Sequence, residues 1–351
     1  MAYEVNEKIR ELVPYQPITG NYRIRLDANE SFLVPENEIL KAIQKDAVSV
    51  AFQRYPDPIA QELCEAFAKA YNVNVENVVA GNGSDELISL LFSSFLMKGE
   101  CAVTLSPDFS MYSFYCGIAE GQNKEFKKRD DFSFSIDDLI DFVNKNKARM
   151  LIFSNPCNPT SLGVKREEIR KLVSSVNALV VLDEAYMDFW DQSMLSEVNQ
   201  YDNLIILRTC SKAIGAASLR LGFAVSNVNL IRFLKAVKSP YNVNSISQKI
   251  GAEILKRKDW LAFCRQKICK SRDELFSGLK KIEEKNLGRM RVLKPVTNFV
   301  TVKTPECTSI YQKLLKDGIA IRCFDGFLRI TAGSETENEE LLSAFEKALK
   351  E

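Results

Sequence analysis

Thr209–Phe223 reads TCSKAIGAASLRLGF, and the chain makes sense outward from it. An apolar run, Leu204 to Leu207, ends in Arg208 and Thr209, and Ser211 and Lys212 follow before small residues take over. That pattern is a buried strand running into a tightly packed turn with an amine at its lip. Such surroundings desolvate an ammonium and lower its pKa, which suits a lysine that captures an aldehyde as an imine. Arg220 opens the next apolar run and, with the Ser211 hydroxyl, can hold a phosphate near that lysine. On this segment alone, a surface lysine following a strand accounts for the residues equally well.

Short apolar runs recur at 76–80, 101–105, 123–127, 150–153, 179–183, 204–208 and 221–225. Helical patterns separate most of them. This predicts an α/β chain built on a mainly parallel, seven-stranded, doubly wound sheet with both faces covered. Helices are expected at 35–48 and from Pro58 to Tyr71, then at 228–238 and over one long stretch, 246–282. The tail alternates strands near 291–303, 319–322 and 327–331 with helices at 308–316 and from Glu335. The expected organisation is an arm, 1–30, a large domain, 31–245, and a smaller α+β domain, 246–351.

Ligands of such sheets bind beyond the carboxyl ends of the strands. The special residues gather there: GNGSDELI at 81–88, PDFSMY at 107–112, SNPCNPTS at 154–161, DEAYMDF at 183–189 and SKAIG at 211–215. GNGSDE places Ser84 and Asp85 at a helix start, an anion site suited to phosphate. It also reads as a plain helix cap, and it fails as a dinucleotide fingerprint because Glu86 stands at the third glycine position. Asp183 ends the all-apolar strand ALVVLDEA, where an unpaired carboxylate is costly. A protonated pyridine nitrogen is a fitting partner, and a salt bridge or metal ligation are the alternatives. Phe109 can stack on a flat ring or simply fill core. Asn158 and Tyr186 can meet a ring oxygen, although Asn158-Pro-Thr is also a turn sequence.

Composition narrows the chemistry. The 351 residues are 46% hydrophobic and 26% charged with a net charge of +1, so no electrostatic footprint for nucleic acid or membrane is present. The N-terminal MAYEVNEKIRELVP carries charges where a signal peptide needs an apolar core, and no apolar run reaches membrane-spanning length, so the expected location is cytoplasmic. Nine scattered cysteines without a CxxC pair argue against a disulfide framework and a zinc site. The absence of histidine removes Ser-His-Asp and Cys-His catalysis and most metal sites, so no metal is expected. Lysine, carboxylate, tyrosine or a cofactor must move the protons.

With lysine, aspartate, asparagine, an aromatic and a phosphate cradle in this order, the chain resembles the fold-type I pyridoxal-phosphate enzymes. Among them it is most similar to the histidinol-phosphate aminotransferase family. PYQP, LDANES, RYPDP, GNGSDELI, PDFSMY, NPCNPT, DEAYMDF, SKAIGAASLRLGF and FLRITAGSETENEELL all fall in the family's order. The resemblance implies that Lys212 forms the Schiff base with pyridoxal 5'-phosphate and that Asp183 pairs with the pyridine nitrogen. It implies that Asn158 and Tyr186 bind the ring hydroxyl, that Phe109 stacks on the ring, and that Ser84, Asp85, Ser211 and Arg220 hold the phosphate. Tyr55 would reach that phosphate from the other subunit of a homodimer. Arg329 would take the substrate carboxylate, with Arg322 and Tyr15 placed for the distal group. The activity implied is amino transfer between histidinol phosphate and 2-oxoglutarate. An aromatic aminotransferase and a threonine-phosphate decarboxylase are alternatives on the same scaffold. Two positions depart from the family pattern: Ser161 stands where NPTG has glycine, and Phe32 follows NES where proline is usual.

Overall fold

All seven apolar runs become strands of one sheet. The computed structural model describes residues 3–10, 12–14 and 16–350. In chain order the strands are β1 Ile24–Arg25, β2 Val78–Gly81, β3 Cys101–Ser106, β4 Gln122–Lys127, β5 Met150–Ser154, β6 Leu179–Asp183, β7 Leu204–Thr209 and β8 Gly222–Ser226. They continue with β9 Arg291–Val292, β10 Phe299–Lys303, β11 Ile319–Ala320, β12 Arg322–Phe324 and β13 Phe327–Thr331. The large sheet has the order β2-β8-β7-β6-β5-β3-β4. β3 to β7 pair in parallel, while β8 is antiparallel to both β7 and β2.

The parallel strands are apolar on both faces because helices cover both. Leu151, Phe153, Val180 and Leu182 point into one layer of core. Met150, Ile152, Val181 and Ile205 point into the other. A four-stranded antiparallel sheet, β12-β13-β10-β9, packs Val300, Val302, Leu328 and Ile330 against Leu275, Leu279 and Phe345. β1 pairs in parallel with β11, so the N-terminal segment is tied to the C-terminal part of the chain through Ile24 and Ile319.

The helix expected at 35–48 starts at Asn37, and two others differ more from the sequence reading. The helix expected from Pro58 is Gln61–Tyr71, because Ala60 takes a left-handed conformation (φ 49°) and Asp57 accepts the Gln61 N–H at 2.7 Å. The long pattern at 246–282 is two helices, Ser245–Lys256 and Lys258–Lys285, broken where Arg257 adopts ψ 68°. Among the described residues, no helix is long and apolar enough to cross a membrane.

Candidate active site

Strand register brings the polar strand ends to one edge. Asp183 closes β6 opposite Ser154 of β5 and Leu207 of β7, and Thr209 of β7 lies opposite Gly222 of β8. Asp183 is 5% exposed. Its Oδ2 accepts from the Tyr112 hydroxyl at 2.8 Å and its Oδ1 from the Ala185 N–H at 3.1 Å. Burial pushes the carboxyl up to about 6 even though both hydrogen bonds favour the charged form. Among the described residues, no cation pairs with it.

Lys212, in the turn after β7, is partly buried and donates to the Ala28 carbonyl at 3.0 Å. Its Nζ stands 6.0 Å from the centre of the Tyr186 ring. Desolvation first, and then the positive charge of Arg329, push this ammonium down to about 8. A useful fraction of neutral amine therefore exists near physiological pH.

A hydrogen-bonded net ties the small sheet to this edge. Arg329, on β13, donates through Nη1 to Asn158 Oδ1 at 2.5 Å and through Nη2 to the Asp27 carbonyl at 2.6 Å. The Tyr186 hydroxyl accepts from Asn29 Nδ2 at 2.9 Å, and Asn29 Oδ1 accepts from Thr331 Oγ1 at 3.0 Å. Arg322 lies directly opposite Arg329 in the β12–β13 ladder, which puts the two side chains on one face.

A third cluster is cationic. The helix Gly83–Phe95 begins where β2 ends, and the Arg220 guanidinium lies so close to Gly83 that an added Cβ there would stand 2.8 Å from Nη2. Arg220 itself sits at φ 52°, just before β8. A guanidinium set over the positive end of a helix, with no carboxylate paired to it among the described residues, is an anion cradle. Ser211, buried and next to Lys212 in sequence, accepts from Thr209 Oγ1 at 3.0 Å. Gly222 allows the turn to close, since a Cβ there would meet Ser84 N at 2.3 Å and the Gly83 carbonyl carbon at 2.4 Å. Backbone cannot yield as a flexible side chain can. Gly222→Ala should therefore lose about 1–3 kcal/mol of stability in denaturant unfolding and loosen anion binding at the cradle.

The remaining expected site residues lie as follows. Asp85 accepts from the Tyr115 hydroxyl through Oδ2 at 2.9 Å, while its buried Oδ1 has no hydrogen-bond partner among the described residues. Phe109 is partly buried and meets Tyr112 edge to face at 5.5 Å. Tyr55 stands apart, 81% exposed and stacked on Tyr241 at 4.7 Å. Tyr15 lies outside the described residues. Ser161 keeps the left-handed turn that glycine would allow, at φ 62°, with its hydroxyl donating to the Thr160 carbonyl at 2.6 Å. Phe32 packs into the cluster of Tyr186, Phe189 and Phe299.

Sequence reasoning gave no role to Tyr112, Asn29 or Asp108. Tyr112 stood within PDFSMY and Asn29 within LDANES, both quoted as motifs, but their partners come from strands distant in sequence. Asp108 accepts from Ser154 Oγ, which in turn accepts the Asn158 N–H at 3.0 Å, so this buried carboxylate supports the Asn158 loop from below.

Comparison with known proteins identifies the family. The family model for class I and II aminotransferases matches residues 23–345. The histidinol-phosphate aminotransferase of Clostridium novyi is 42% identical over 340 residues, covering 95% of this chain and 94% of its own. That of Clostridium kluyveri is 37% identical, with 98% of each chain covered. In fold, the chain superimposes on the histidinol-phosphate aminotransferase of Sinorhizobium meliloti in complex with pyridoxal-5'-phosphate, with a TM-score of 0.89 at 23% identity over 100% of this chain and 98% of that one. With a family model spanning most of its length and curated relatives matched nearly end to end, the chain belongs to the class I and II aminotransferases and, within them, to the histidinol-phosphate aminotransferase family.

Proposed function

We propose that the protein moves an amino group from histidinol phosphate to 2-oxoglutarate, or in reverse, on pyridoxal 5'-phosphate held at the edge where β6, β7 and β8 meet. The observation that carries this reading is a buried carboxylate, Asp183, with no cation paired to it among the described residues, at the same strand-end edge as Lys212, an amine lowered to about 8. These residues fit the cofactor. A ring carrying a protonated nitrogen supplies the cation Asp183 lacks, and a phosphate supplies the anion that Arg220 and the Gly83–Phe95 helix start lack. When bound, the cofactor supplies an aldehyde for the amine and a ring that withdraws electrons from the substrate's α-carbon.

Each side chain then has a task. Lys212 Nζ would hold the cofactor aldehyde, and as a free amine it would take the proton from the substrate α-carbon. Asp183 keeps the ring nitrogen protonated. Asn158 and Tyr186 would meet the ring hydroxyl, and Phe109 would stack on the ring. Ser84, Ser211, Arg220 and the Asp85 backbone N–H hold the phosphate. Arg329 and Arg322, opposite one another in the small sheet, take the carboxylate of glutamate in one half-reaction and the phosphate of histidinol phosphate in the other, since a guanidinium fork accepts either anion.

The reading includes a homodimer with shared sites. Phe52 and Tyr55 are exposed beside a surface cavity of about 610 Å³ that Tyr241 also lines, an apolar face suited to a second copy. Tyr55 would reach the other subunit's phosphate cradle from there. Residues 1–30 serve as an arm, 31–245 as the cofactor domain and 246–351 as the smaller domain that carries Arg322 and Arg329. The enzyme acts in the cytoplasm on small molecules, with no nucleic acid partner.

Two replacements test the assigned roles. Arg329→Lys removes the fork that spans Asn158 and the Asp27 carbonyl, and kcat/KM for glutamate should fall about 10²-fold. Tyr112→Phe removes a hydrogen bond to the charged form of Asp183, so the carboxyl rises further above 6. Protonation of Asp183 weakens cofactor binding, so the pH at which affinity is lost on acidification should move upward. Cofactor titration across pH reads that shift.

The substrate is tested by steady-state rates of the holoenzyme with 2-oxoglutarate and either histidinol phosphate, phenylalanine or tyrosine, alongside carbon dioxide release from threonine phosphate. The highest kcat/KM is expected with histidinol phosphate. An equal or higher value with an aromatic amino acid, or carbon dioxide release as the main reaction, would overturn the assignment.

A further inference from the structure

We propose that Cys157 and Lys128 form an oxidation site, at which peroxide joins Sγ to Nζ in a covalent, thiol-reversible link behind the loop that carries Asn158. The inference stands on its own geometry and does not depend on which amine the enzyme uses.

Lys128 Nζ donates to Cys157 Sγ at 3.0 Å and to the Pro107 carbonyl at 2.7 Å, and it lies 3.7 Å from Asp108 Oδ2. The Cys157 thiol also reaches the Pro107 carbonyl, at 3.7 Å. The Lys128 side chain is 2% exposed and Cys157 is 5% exposed, so the pair is held in place. Both line a cavity of about 340 Å³ shared with Trp190 and Lys294, which gives a small oxidant room. Thr160, buried in the same wall, has a hydroxyl without a partner among the described residues, a ready contact for a small polar molecule. Elsewhere burial pushes the thiols of Cys64, Cys116 and Cys264 up, which leaves little reactive thiolate. What sets Cys157 apart is geometry, its sulfur lying against the Lys128 amine.

The chemistry balances with hydrogen peroxide as the only added reactant. One peroxide oxidises the thiol by two electrons to a sulfenic acid and leaves as water. The Lys128 amine, its extra proton passed to Asp108, attacks that sulfur. The N–S bond forms, the S–O bond breaks, and the oxygen leaves as a second water. The chain ends two hydrogens lighter. A further peroxide, reduced to water, can place one oxygen between nitrogen and sulfur. Two equivalents of an added thiol, oxidised to their disulfide, restore amine and thiol from the N–S form.

The link also removes the cation facing Asp108, the carboxylate that supports Ser154 and through it Asn158. Activity should therefore fall several-fold on oxidation and return with dithiothreitol.

The test treats the holoenzyme with hydrogen peroxide, alkylates remaining thiols, digests without reductant and maps peptides by mass spectrometry. The expected product joins the Lys128 and Cys157 peptides, two hydrogens lighter or with one oxygen in addition. It vanishes on reduction and is absent from Cys157→Ser and Lys128→Gln. Recovery of Cys157 as an alkylated free thiol, as sulfinic or sulfonic acid, or in a disulfide, with no Lys128 cross-link, would overturn the proposal. Because the wild-type peptide map decides the matter, poor folding of a variant leaves the result readable.

Discussion

Lys212→Ala is expected to lower turnover by about 10⁴-fold, the upper end of what a positioned acid–base group contributes, while the protein still folds. The side chain donates one hydrogen bond, to the Ala28 carbonyl, and is only partly buried, so little packing goes with it. What the variant loses is the amine itself, in both of its proposed roles, as the group that captures the aldehyde and as the base at the α-carbon. A small amine added in solution should restore part of the proton transfer, and Lys212→Arg should not, because a guanidinium stays protonated. Single-turnover kinetics with cofactor and amino donor, together with circular dichroism, check both parts.

The second large effect is at Asp183. Asp183→Asn keeps the shape and can still meet Tyr112, but it removes the charge proposed to stabilise a protonated ring nitrogen, and kcat should fall by about 10³-fold. Stability is expected to move the other way. In the fold this carboxyl titrates at about 6 against an ordinary 3.8, so the folded chain holds the proton more tightly than the unfolded one. The charged carboxylate therefore destabilises the cofactor-free protein as pH rises through that interval, and fully above it. At neutral pH the cofactor-free Asp183→Asn chain should melt at or above the wild-type temperature, and the difference should vanish on acidification below 3.8. A residue conserving only structure would show the opposite order.

The frame of the fold is written plainly in the chain. Seven apolar runs of strand length, each followed by polar or glycine-bearing sequence, suffice to place Asp183, Lys212 and the GNGSDE turn on one edge, because parallel strands all end on the same side. Strand direction is less visible. The run that becomes β8 is as apolar as its parallel neighbours, and only the lack of a full helix between Thr209 and Gly222 hints that it returns antiparallel. The break at Arg257 left no trace either, since neither proline nor glycine marks it and helical periodicity continues on both sides.

The site was legible wherever chemistry sits on a strand end and hidden wherever it depends on a side chain crossing between elements. Tyr112 looks like one more aromatic in an apolar helix until its hydroxyl is found on Asp183. Asn29 and Arg329 are joined to Tyr186 and Asn158 across 157 and 171 residues of chain, through contacts that no local spacing encodes. Asp85 went the other way: its position at the helix start was readable, but the turn of its carboxylate toward Tyr115 was not.

Reduction of the holoenzyme with borohydride, followed by digestion and peptide mapping, asks most directly whether the Lys212 amine is the one that holds the cofactor. The account predicts a phosphopyridoxyl group on the peptide containing Lys212 and nowhere else. A label on another lysine, or none at all in a cofactor-loaded and active preparation, would contradict it.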